Sequence, residues 1–202
     1  MAAVVPLDSL LQQRRIWRGQ AWPEVAAAAQ PTGWATLDAA LPGGGWPEAA
    51  LVELLLPADG IGELRLLLPT LARLSRAGKA LLWVDPPYRP YAPALAAAGV
   101  DLRQLWCVDG AGREAPWAIE QGLRSRACGA VLGWATQADD RLLRRWQLAA
   151  EAGQALAFLF RPLRAAQSPS PAALRLQCGR DEVRVLKCRG GLAPARPVHL
   201  CA

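Results

Sequence analysis

The stretch Pro57-Ala58-Asp59-Gly60-Ile61-Gly62-Glu63-Leu64 decides how the rest of this chain is read. It follows the apolar run Leu51-Val52-Glu53-Leu54-Leu55-Leu56, which reads as a buried strand, and it precedes a helical pattern that starts near Glu63. Strand, glycine turn and helix form the setting of the phosphate-binding loop, G-x-x-x-x-G-K-[ST]. Gly62 keeps the second glycine position of that motif, and Gly60 lies inside the loop. Pro57 stands at the first glycine, Glu63 at the lysine and Leu64 at the magnesium-binding hydroxyl. The lysine works by setting a positive charge against phosphate oxygens. Two unit charges about 4 Å apart interact by about 4 kcal/mol near a protein surface, so glutamate turns attraction into repulsion of similar size. Pro57 also removes one of the backbone N–H groups that cradle phosphate. The loop is therefore expected to hold no nucleotide, and no cofactor is expected. The plain alternative is an ordinary strand-turn-helix that happens to carry two glycines.

Working outward, short apolar strands alternate with helical patterns. Helices are expected over 63–77, 91–98, 114–127 and 138–152, and strands over 79–84, 104–108, 129–134 and 155–160. Such alternation implies an α/β fold with a mostly parallel central sheet and helices on both faces. The pattern then changes to two alternating runs, 173–178 and 182–187, over Gly179-Arg180-Asp181, which read as a C-terminal β-hairpin. Pro6 to Arg18 reads as a detached N-terminal helix, followed by a Gly-, Pro- and Ala-rich linker. The domain reading is helix and linker over 1–31, core over 32–188, and a flexible or docking tail over 189–202.

Composition narrows the class. With 52% hydrophobic residues in 202, the chain can bury one sizeable core and is not globally disordered. No uncharged apolar run approaches the roughly 18 residues of a membrane span, and the N-terminus lacks signal-peptide form. The five cysteines show no C-x-x-C spacing, and His199 is the sole histidine, which argues against a zinc site. Scattered thiols fit a reducing cytoplasm, so the expected localisation is cytoplasmic. The net charge of +6 rests on 21 Arg and two Lys, a balance that can draw a protein to nucleic acid. The accompanying wealth of Ala, Gly and Pro also fits GC-rich coding, which weakens that argument.

The segments Thr32-Gly33-Trp34-Ala35-Thr36-Leu37-Asp38-Ala39-Ala40-Leu41 and Pro42-Gly43-Gly44-Gly45-Trp46-Pro47-Glu48-Ala49-Ala50-Leu51-Val52-Glu53 lead into the loop. Gly78-Lys79-Ala80-Leu81-Leu82-Trp83-Val84-Asp85 and Ala130-Val131-Leu132-Gly133-Trp134 follow it. Together they resemble the RecA recombinase core, over residues 30 to 190. Within that superfamily, three runs are similar to the ImuA family, which is SulA-related. They are Leu41 to Pro47, Gly60 to Pro69, and Ser170-Pro171-Ala172-Ala173-Leu174-Arg175-Leu176. The resemblance implies a degenerate RecA-like core. It further implies a non-catalytic adaptor of the SOS-induced mutagenic translesion complex, with ImuB and a DnaE-type polymerase as partners and RecA as a further candidate. The alternative it leaves open is a SulA-like inhibitor of cell division that binds FtsZ.

By that register the water-orienting glutamate of RecA-type ATPases falls on Pro87, and the metal-binding aspartate falls on Trp134. Phosphoryl transfer depends on charge and positioning by such groups, so no enzyme is expected. Asp85 reads as a strand-end turn residue, and Asp139-Asp140 reads as a helix start. Candidate partner-binding residues lie on the N-terminal helix: Leu10, Leu11, Arg14, Arg15, Ile16 and Trp17. The alternative is that this helix folds back on its own core. Arg161 and Arg164 sit where the resemblance places a DNA-binding loop, and they are the candidates for weak, non-specific phosphate contact. A plain solvated loop is the competing reading there.

Overall fold

The computed structural model describes residues 29–110 and 114–200. Its central strand, β1 (Leu51–Leu56), is buried along its whole length. Five of its six residues are apolar, as expected for a strand covered on both faces. The remaining strands are β2 (Ala80–Val84), β3 (Leu105–Val108), β4 (Cys128–Trp134), β5 (Leu156–Pro162), β6 (Leu174–Cys178), β7 (Glu182–Cys188) and β8 (Val198–His199). They form one sheet in the order β3-β2-β4-β5-β1-β6-β7-β8. β1 pairs in parallel with both β5 and β6, and β2 with both β3 and β4, while β4 pairs in parallel with β5. β6, β7 and β8 close the sheet as antiparallel neighbours. The fold is therefore α/β, with a mixed, mostly parallel sheet.

The helices are α1 (Ala35–Ala40), α2 (Glu63–Arg76), α3 (Ala92–Ala97), α4 (Glu114–Arg124) and α5 (Asp140–Gly153). Alternate strand residues point to opposite faces, which divides the core in two. On one face Leu67 and Leu71 of α2 and Leu95 of α3 pack with Leu54, Leu132 and Phe158. On the other, Ile119 of α4 and Leu143 and Trp146 of α5 pack with Leu51, Val131 and Leu159. α5 begins as its sequence implies: the Asp139 side chain accepts from the Leu142 N–H at 2.8 Å, and Asp140 pairs with Arg144. The carboxylate pair thus serves the helix terminus.

The lead-in is part of the core. Trp34, Leu37, Leu41 and Trp46 are all buried. Trp46 Nε1 donates to Thr70 Oγ1 (2.8 Å), and Trp34 Nε1 donates to the Leu66 carbonyl (3.0 Å), so both indoles are fastened to α2. Gly33 has φ +89°, and a Cβ there would run into the Pro69 ring.

Two expectations are corrected. β5 does not end at residue 160 but runs to Pro162, followed by a 3₁₀ turn over Leu163–Gln167. Arg161 therefore lies in a buried strand and not on a solvated DNA-contact loop. The segment read as a flexible or docking tail is not loose over residues 198–200. Val198 pairs with Val183, the Leu200 N–H donates to the Asp181 carbonyl, and Thr36 Oγ1 donates to the His199 carbonyl. Val198 and Leu200 bury their side chains there, which gives that end of the chain an apolar reason to stay.

Candidate functional site: a phosphate-type loop closed by its own carboxylate

The loop 57–62 lies at the carboxyl end of β1 and feeds the amino terminus of α2. Gly60 and Gly62 both take left-handed backbone, φ +78° and +97°, which lets the chain turn tightly into the helix. In a working loop this concavity would face a phosphate. Here Glu63, the first helical residue, folds its side chain back into the loop. Its Oε1 accepts the Gly60 N–H at 3.2 Å. Its Oε2 is buried without a partner, and the residue as a whole is 7% exposed. The helix dipole favours a negative group at this position, so the protein's own carboxylate occupies the anion-favouring end of α2. Leu64 packs against the core and offers no hydroxyl. The nearest arginine in sequence, Arg65, points outward and pairs with Asp181 at 3.1 Å.

Of the two other positions singled out by the sequence, Trp134 and Pro87, only Trp134 is taken up by apolar packing. Trp134, at the end of β4, stacks on Phe160 with centroids 4.6 Å apart, and it tilts against Trp83 at 5.9 Å. Asp85 is exposed at a positive φ of 56°, its N–H donating to the Val108 carbonyl, and Pro87 is exposed beyond it. Cys178 ends β6 in the same core layer. Burial, helped by the nearby Glu63 carboxylate, pushes its thiol up to about 12. A thiol so shifted is protonated at neutral pH and is no nucleophile. At the loop, Glu63 and Leu64 thus bring a carboxylate and an apolar side chain where the motif has an ammonium and a hydroxyl.

Arg161 belongs to a different structure. Glu53 of β1 is fully buried, and its two oxygens meet two arginines from the flanking strands. Arg161 Nη1 lies 2.5 Å from Oε1, and Arg175 Nε lies 2.5 Å from Oε2. Other donors of the pair go to backbone, while Arg161 Nε is buried without a partner. Arg161 Nη2 donates to the Ala138 carbonyl, and Arg175 donates to the Ala165 and Ser168 carbonyls. This triad pins the 3₁₀ turn after β5 to the sheet. Arg164, by contrast, is exposed on that turn. The structure thus separates the two residues that the sequence grouped. The clue available beforehand was Glu53 itself: one acid inside an otherwise apolar central strand demands buried cations on its neighbours. The proposed partner-binding residues Leu10, Leu11, Arg14, Arg15, Ile16 and Trp17 lie outside the described residues.

The fold and the loop define an α/β protein with a glycine turn after its central strand that carries Glu63 and Leu64 where the phosphate-loop motif has lysine and a hydroxyl. No known family profile matches the chain. Over 103 residues it is 37% identical to the cell division inhibitor SulA of Edwardsiella piscicida, a match that covers 49% of this chain and 60% of that protein. The solved structure of SulA from Pseudomonas aeruginosa aligns with 55% of this chain and 97% of its own, at 23% identity and a TM-score of 0.47. No helix among the described residues is long and apolar enough to cross a membrane.

Proposed function

We propose that this chain is a non-catalytic, RecA-like protein of the DNA damage response that works through protein contacts. The observation that carries the non-catalytic reading is the Glu63 carboxylate turned into the loop and accepting the Gly60 N–H. The parallel sheet, the turn at the end of central β1 and the appended antiparallel strands support the RecA-like part. ATP at millimolar concentration with magnesium is expected to leave the melting temperature unchanged, because a ligand stabilises only by binding the native state. A magnesium-dependent rise would sink this reading.

Within that class, the role proposed is an adaptor of the SOS-induced mutagenic translesion complex, in contact with ImuB, a DnaE-type polymerase and RecA. It rests on the resemblance of the runs Leu41 to Pro47, Gly60 to Pro69 and Ser170 to Leu176, and on the lead-in Gly33 to Glu53. A second reading, a division inhibitor acting on FtsZ, is favoured directly by the 37% identity to SulA. One genetic comparison separates them. Under the adaptor reading, deleting the gene lowers damage-induced mutation frequency to that of a strain lacking the error-prone polymerase, and overproduction leaves division unchanged. Filamentation on overproduction, with mutation frequency unaffected by deletion, selects the division inhibitor instead.

A further inference from the structure

α2 presents a second face, away from the sheet. Along it runs an open groove of about 660 Å³. Its floor is apolar: Leu68 and Ala72 of α2, the edge of Trp34, and Ala98 at the end of α3. Arg65, Arg73 and Arg76 line the same groove and are all exposed. Steps of three, four and four residues place Arg65, Leu68, Ala72 and Arg76 on one helical stripe, with Arg73 at its margin. The neighbouring acids are already committed. Asp181 pairs with Arg65 and Asp101 pairs with Arg103. Among the described residues, no carboxylate pairs with Arg73 or Arg76. Arg73 donates to Gln30 Oε1 and to the Pro31 carbonyl, and the Arg76 guanidinium lies beside Gly99.

An apolar trough flanked by Arg73 and Arg76, which pair with no carboxylate among the described residues, fits one kind of occupant, an amphipathic helix with an apolar stripe and acidic flanks. Two other occupants match less well. The chain's own first 20 residues hold Asp8 against Arg14, Arg15 and Arg18, so their charge repels the groove's. Single-stranded nucleic acid needs an open aromatic face for stacking. Trp34 is only 6% exposed, and Arg65 already lies over its ring, 5.4 Å from the centroid. We infer that the groove along α2, between Trp34 and Ala98, is a docking surface for an acidic amphipathic helix of a partner protein. This inference rests on the protein-contact reading above.

The probe is a fluorescent peptide of about 16 residues, four helical turns, with a leucine stripe and glutamates on both flanks. The same peptide with lysine for every glutamate, and a single-stranded oligonucleotide, are the competitors, all measured on the full chain. The acidic peptide is expected to bind saturably and more weakly as salt rises. Arg76→Glu is expected to cost about tenfold in affinity or more, with Arg76→Lys largely retaining it. Leu68→Asp removes binding, whereas Leu148→Asp, on the exposed side of α5 across the sheet, leaves it unchanged. Thermal melts of each variant check that the fold persists. A preference for the lysine peptide or for DNA overturns the inference, as does binding indifferent to both Arg76→Glu and Leu68→Asp. The two readings also fail separately. If a chain carrying both Arg76→Glu and Leu68→Asp keeps the damage-response phenotype of the wild type, the groove is not the docking surface and the protein-contact reading stands. If deleting the gene has no phenotype, the protein-contact reading fails whatever the peptide does.

Discussion

Glu53 and Glu63 are both buried acids, yet they do opposite things. Glu53 is satisfied by two arginines and holds three strands in register. Glu63 has one oxygen on a backbone N–H and the other without a partner. Removing one member of a buried ion cluster leaves an uncompensated charge, so Arg161→Ala is expected to destabilise the fold by about 3 to 5 kcal/mol. Arg164→Ala, at an exposed position, should stay within about 0.5 kcal/mol of wild type. Denaturant unfolding of the two variants tests the pair, and any weak DNA affinity should respond to Arg164 alone. Cys178 gives a pH signature. Its folded pKa, about 12, lies above its ordinary 9.0, so the folded chain keeps the proton that the unfolded chain loses. Whatever stability this contributes is intact below 9.0 and is lost as pH rises towards 12. Cys178→Ala should flatten the fall in unfolding free energy across that window, by comparison with wild type. An unchanged slope would show that the thiol ionises freely in the fold.

At the scale of elements, the strands and helices were legible because their periods are clean. β1 is an apolar run, and α2 and α5 carry apolar residues at helical spacing. The end of β5 was not legible, because Arg161-Pro162 reads locally as a polar break. Only the opposite charge on β1 makes an arginine tolerable inside a strand. α1 was also missed: its six residues, Ala35 to Ala40, sit in a glycine-rich lead-in and are held by tertiary contacts of Leu37 and Leu41. The approach of the lead-in to α2 depends on Gly33, which has φ +89° and no room for a side chain beside Pro69. Gly33→Ala combines backbone strain with a clash, and is expected to cost about 1 to 3 kcal/mol or more. Thermal unfolding measures it, and a variant as stable as wild type would mean that the lead-in is not anchored there.

At the scale of the molecule, the sheet is completed by its last described strand. β8 covers part of β7 and buries Val198 and Leu200. Truncation after Arg196 should therefore lower the melting temperature by several degrees, about what losing 1 to 2 kcal/mol does in a domain of this size. A truncated chain with wild-type stability would return this segment to the role of a loose tail. The charge of the whole molecule is likewise spent unevenly. Arg161 and Arg175 are internal, while Arg65, Arg73 and Arg76 line one open groove.

Local sequence was enough to determine the alternation of strands and helices, the turn after β1 and the carboxylate, Glu63, at the start of the helix that follows. These depend on near neighbours: side-chain period, glycine position, and charge at one residue. Tertiary structure alone decided which arginines face solvent and which face Glu53, because that depends on strands distant in sequence lying side by side. It also decided that Glu63 turns inward onto Gly60, that Trp134 is stacked on Phe160, and that Val198 and His199 join the sheet. In each case the deciding partner lies across a turn or on another element. A buried charge or an apolar side chain takes the place where its partner is, and pattern along the chain does not reveal where that will be.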